Sequence, residues 1–191
     1  QRLRHNLWLS TSKWKLDRMG LVLGENTTTD FDTDDWKYSE QRQMELSIGG
    51  PSVIHMPSNV RLFHRASGRY FMYFAAHRSK YIRLATAPSA KGPWKISNIK
   101  VVHVDDHTCL RGHVASPAAT MLNDGTLSLF FHSETDSGQQ TFEAKSLDGT
   151  AFNVDCKRGP LGPFYFTPFT LNGVRYAVAK NMNRGGVVLQ E

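Results

Sequence analysis

The sequence predicts an all-β fold, a β-propeller of four-stranded antiparallel blades. Three observations predict it: hairpin signals between alternating apolar runs, apolar strands opened by proline, and recurrence of both at blade-sized intervals. Residues 1–45 read as an N-terminal extension, and 46–191 as the propeller domain, with roughly two and a half blades.

The strands come first. Residues 70–76 (YFMYFAA) are rich in aromatics and follow the turn signal Ser67-Gly68. After the polar turn 77–80 comes YIRLATA, in which Ile82 and Leu84 alternate with Arg83 and Ala85. Residues 127–131 (LSLFF) follow Asp124-Gly125, and residues 175–179 (RYAVA) follow Asn172-Gly173. Asx-Gly pairs favour the positive φ angles of tight hairpin turns, so each marks a strand–turn–strand unit.

The marks recur. Gly68, Gly125 and Gly173 are separated by 57 and 48 residues. Before each lies a proline-opened apolar stretch: GPSVIHM from Gly50, SPAATML from Ser116 and GPFYFTPF from Gly162. Trp94 and Phe152, which close their units, lie 58 residues apart. These two and Tyr73 read as core aromatics packed between blades.

Composition narrows the function classes. Hydrophobic residues make up 40% and charged residues 21%, a globular balance with no apolar run long enough to span a bilayer. The formal charge of +6 comes from scattered Lys and Arg without a nucleic-acid motif, so neither nucleic acid nor membrane is an expected partner. The start QRLRHNLWLS lacks a secretory apolar core, and both chain ends read as those of a fragment. Cys109 and Cys156 show no metal-ligand spacing; two buried thiols are expected, with a bridge as the alternative. Asp30, Asp32 and Asp34 match the first ligand positions of a calcium loop, but Asp35 takes the glycine position and Gln41 that of the bidentate Glu. A solvated acidic loop is expected there.

The strings GGPSVI, RYFMYFAAHRSKYIRLATAPSAKGPWK, HVASPAAT and SLDGTAFN resemble the propellers of the glycoside hydrolase family 43 superfamily, nearest an uncharacterised bacterial branch. The resemblance implies a five-bladed propeller, here truncated, and a carbohydrate partner. It places a general-base Asp before the proline of the first inner strand, a second Asp before that of a later blade, and a Glu before a Gly-Pro. This chain has Gly50, Ser116 and Leu161 at those places.

Blade geometry indicates which residues can meet. In an antiparallel meander the start of the inner strand, the turn between the second and third strands, and the connection to the next blade share one face. That face collects Gly50, 77–80, 103–116, 132–139, 158–162 and 180–184. Candidate carboxyls there are Asp105, Asp106, Glu134 and Asp136, with His113 as a further acid–base candidate. Candidate sugar contacts are His77, Arg78, Arg83, His113, Ser116 and His132, where an arginine can clamp an acidic sugar. No HxH or HExxH spacing points to a metal, and no cofactor is expected; a channel calcium is left open by the fold. The expected function is glycoside hydrolase-like action on an oligo- or polysaccharide. The alternatives are sugar binding without catalysis and a structural or protein-interaction propeller. Compartment is left open, with export implied if the substrate is a polysaccharide.

Overall fold

The computed structural model describes residues 48–57, 69–181 and the backbone of 187–190. The acidic Thr-rich loop and its calcium-like pattern lie outside these residues.

The first sheet has the order β1 (Gly49–His55), β2 (Tyr70–Ala75), β3 (Tyr81–Ala87) and β4 (Lys95–His103), all antiparallel. A 3-10 turn, Val104–Asp106, leads into the second sheet. That sheet runs β5 (Val114–Met121), β6 (Leu127–Thr135), β7 (Gly138–Ser146) and the short β8 (Asn153–Val154), with β9 (Gly162–Pro163) also paired to β7. The third has β10 (Thr167–Leu171), β11 (Val174–Lys180) and β12 (Val187–Gln190). Two complete blades and part of a third are therefore present, as separate sheets that do not close into a ring. Among the described residues no helix is long and apolar enough to cross a membrane.

Alternation on the strands explains the packing. Phe71 and Tyr73 on β2, Ile82 and Leu84 on β3, and Leu127, Leu129 and Phe131 on β6 form one buried cluster between the first two blades. Tyr73 meets the edge of Phe152 at 5.6 Å and donates its hydroxyl hydrogen to the Gly149 carbonyl at 2.8 Å. Burial, and then the charge of Asp148, push the Tyr73 phenol well above its ordinary pKa. The SLDGTAF segment thus caps the first blade's core while turning the second. Trp94 packs on the opposite face of the first sheet with Met72, Phe74, Ala85, Ala87 and Ile96. On the far face of the second sheet, Phe130 stacks on Phe166 at 5.6 Å, and Ala177 and Ala179 of the third sheet are buried.

Two features differ from the sequence expectation. Cys109 and Cys156 are joined in a disulfide with a Cα–Cα distance of 5.3 Å, not left as two thiols. The connection from β4 must cross from the outer edge of one blade to the inner strand of the next. On the way it meets the residues that follow β8, on the same face of the sheets, although the two cysteines are 47 positions apart. Second, the third blade's inner strand begins at Thr167, not at Gly162. Gly162-Pro163 extends the second sheet instead, pairing with Gln140 and Thr141.

Candidate functional site

The inner strands β1 and β5 begin with the same device. Each pairing ladder shifts register where a left-handed residue precedes a proline: Gly50 (φ 54°) before Pro51, and Ser116 (φ 51°) before Pro117. The bulge turns these residues toward a common face. A third left-handed residue, Tyr165 (φ 57°), precedes β10 and lines the same space. The Ala119 amide donates to Ser52 Oγ at 2.9 Å and ties the two inner strands together.

A cleft of about 970 Å³ lies between these strand starts, large enough for an oligosaccharide segment. Its lining includes Gly50, His77, Arg78, His113, Ser116, His132, Glu134 and Tyr165. The turn 77–80, the connection through Gly112 and the β6–β7 turn are brought together there. Asp105 and Asp106 do not line it. Asp105 is exposed on the 3-10 turn, 3.8 Å from Lys80 Nζ, and its amide donates to His103 Nδ1. Asp136 is turned away into an ion pair with Arg111. Arg83 is also absent from the lining: it is 4% exposed within the first sheet, with its guanidinium 5.3 Å from the Phe74 ring centre.

Glu134 is the one carboxylate among the described lining residues, and several groups hold it. Its Oε1 lies 3.0 Å from His113 Nδ1. Its amide donates to the Arg111 carbonyl, while Ser133 Oγ accepts from the Arg111 amide and donates to the same carbonyl. Gly112 (φ 63°) lies directly under the carboxylate, where any Cβ would collide with it. A glycine at this position is what lets the connection approach Glu134 so closely.

Behind this pair stands His132, only 4% exposed. Its ring meets His113 edge-on at 5.6 Å and contacts Phe164 and Tyr165, each at 5.4 Å. Its Nδ1 is buried with no hydrogen-bond partner among the described residues. Burial, and then repulsion from His113, lower its pKa to about 4, so the imidazole is neutral near pH 7. A neutral histidine and the Ser116 hydroxyl offer hydrogen-bonding groups without fixed charge, chemistry suited to sugar hydroxyls.

Tyr165, which is 55% exposed in this cleft, was not among the candidates from sequence. Its signal would have been an aromatic beside the third blade's inner strand, and placing that strand at Gly162 hid it. The same shift means that Leu161 is not the third blade's counterpart of Gly50 and Ser116.

The geometry also explains why a carboxylate does not simply fit at Gly50. A Cβ there would stand 2.9 Å from the Ser116 Cα, on a backbone that L-residues avoid. Gly50→Asp is expected to create no hydrolytic activity and to cost roughly 2 kcal/mol or more of stability. Urea unfolding checks this; a variant as stable as the parent would show that the strand starts can move apart.

No family model matches the sequence, and no curated protein gives a significant match. Solved structures do match. A GH43_1 enzyme from Xanthomonas citri aligns at 16% identity over 71% of this chain and 40% of its own, with a TM-score of 0.54. The same enzyme complexed with xylotriose gives 16% identity, the same shares and a TM-score of 0.53. RS223-β-xylosidase gives 11% identity over 69% of this chain and 43% of its own, with a TM-score of 0.53. The chain thus spans about two fifths of the length of the structures it matches. Its fold is that of the family 43 glycoside hydrolase propellers, represented by two complete blades and part of a third.

Proposed function

We propose that the cleft is the sugar site of a glycoside hydrolase-like protein acting on an oligo- or polysaccharide, with Glu134 as its proton-handling carboxyl. The observation that carries this reading is the held carboxylate: Glu134 on His113 Nδ1 at 3.0 Å, over Gly112, in a cleft lined by the inner strand starts. Glycoside cleavage by the usual route needs two carboxyl groups across the bond. Glu134 supplies one, and the reading assigns the second to residues outside those described. His113 orients the carboxylate, and His132, Ser116 and His77 contact hydroxyl groups. The xylotriose complex of the Xanthomonas citri enzyme makes xylo-oligosaccharides the first ligands to try. The disulfide fits an oxidising compartment, which is where an exported protein meets polysaccharide.

Glu134→Gln keeps the shape and removes the proton. If Glu134 handles the proton, the variant should bind xylotriose within about threefold of the parent and hydrolyse it at least 100-fold more slowly. Hydrolysis at the parental rate would remove Glu134 from the chemistry. Gly50 and Ser116, at the positions where the resembling family carries carboxylates, favour a second reading: sugar binding without bond cleavage. Parent protein that binds xylotriose but does not hydrolyse it would establish that reading.

A further inference from the structure

We infer that the cleft selects an acidic sugar, a uronic acid or a sulfate ester, through the guanidinium of Arg78 at its rim; this rests on the sugar-site reading above. The turn between β2 and β3 puts Arg78 in the left-handed region, at φ 58°, a conformation unfavourable for a residue other than glycine or asparagine. The surrounding structure enforces it. The Ser79 amide donates to the Ala76 carbonyl, Ser79 Oγ bonds to both backbone groups of Tyr81, and the Val114 amide donates to the Ser79 carbonyl. The last of these bonds fixes the turn beside His113, so Arg78 is anchored to the same backbone that holds Glu134.

The charge arrangement is asymmetric. Lys80, two residues on, is 3.8 Å from Asp105, and Arg111 on the next connection is paired with Asp136. Arg78 is exposed, lines the cleft and has no carboxylate partner among the described residues. Glu134, the carboxylate that lines the same space, is held by His113. The rim therefore presents an exposed planar cation on a bonded turn, in the same cleft as the Ser116 hydroxyl and the His132 imidazole. A guanidinium binds a carboxylate or sulfate through two parallel N–H bonds, whereas a neutral sugar gives it only single bonds. The matching ligand is a sugar with hydroxyls toward Ser116 and His132 and an anionic group toward Arg78.

The test compares three oligosaccharides by isothermal titration at low ionic strength: xylotriose, xylotriose bearing a glucuronic acid, and a sulfated xylotriose. Each is titrated into the parent and into Arg78→Asn, which tolerates the left-handed backbone. At least one acidic ligand should bind the parent about tenfold or more tighter than xylotriose. Arg78→Asn should remove that preference, weakening the preferred acidic ligand about tenfold more than xylotriose. A preference for the uronate assigns a uronic acid, and one for the sulfate a sulfate ester. Equal binding of acidic and neutral ligands, or a preference that survives in Arg78→Asn, overturns the inference and leaves the sugar site standing. Failure of all three to bind overturns the inference and the sugar-site reading together.

Discussion

Removing the Cys109–Cys156 bridge should lower the unfolding free energy by about 4 kcal/mol, the loop-closure contribution for cysteines 47 positions apart. The bridge ties the connection between the first two blades to the turn after β8, and both cysteines pack against the inter-blade core. Cys109 lies just ahead of Arg111, Gly112 and His113, so loosening this connection should also disturb the support of Glu134. Urea unfolding with and without reductant, and of the Cys109→Ala/Cys156→Ala double variant, measures the stability effect. A loss under about 1 kcal/mol would mean that the connection is held by its hydrogen bonds to Ser133, Glu134 and Ser79 and by the Arg111–Asp136 pair, without need of the bridge.

The second large effect is an acid instability centred on His132. In the folded chain its imidazole takes a proton only near pH 4; unfolded, it does so near its ordinary value of 6.5. Between these values the unfolded chain binds more protons, so stability rises with pH across that window. The contribution is complete above pH 6.5 and is lost as pH falls toward 4, an effect of about 3 kcal/mol. The charged or titratable groups nearest the ring are Tyr165, His113 and, through His113, Glu134. His132→Phe preserves packing against Phe164 and Tyr165 and removes the buried nitrogen that has no partner among the described residues. Its stability at pH 7 should match or exceed the parent's, and it should lose less between pH 7 and pH 4.5. Parallel pH dependences for the two proteins would show that another group carries the acid effect.

Much of the fold was legible because local rules and tertiary packing agree. Asn172-Gly173 adopts positive φ at both residues, as a tight hairpin requires, and Ile82 and Leu84 face the inter-blade core while Arg83 faces away. Gly50 and Ser116 stand at equivalent bulges, as the shared Gly/Ser-Pro pattern implies. What misled was position relative to proline. Pro163 looks like another opener of an inner strand, yet Gly162-Pro163 serves as an extra rung on the second sheet, and β10 starts at Thr167. Tyr165 was missed in consequence, because no sequence rule assigns a left-handed backbone to a tyrosine.

The contacts between distant segments were the least legible. Nothing in the spacing of Cys109 and Cys156 says that the two connections cross. The placement of Asp105 on Lys80 and of Asp136 on Arg111 depends on how the turns lie over the sheets. The expected set of carboxylates therefore narrows at the cleft, among the described residues, to Glu134.

A sugar in this cleft would be seen in the histidine ring protons during a xylotriose titration followed by NMR. Saturable shifts of the His113 and His132 signals are expected, with His55 and His103 unmoved. Saturable binding that leaves His113 and His132 unmoved, or no binding by xylotriose or its acidic forms, would contradict a sugar site in this cleft.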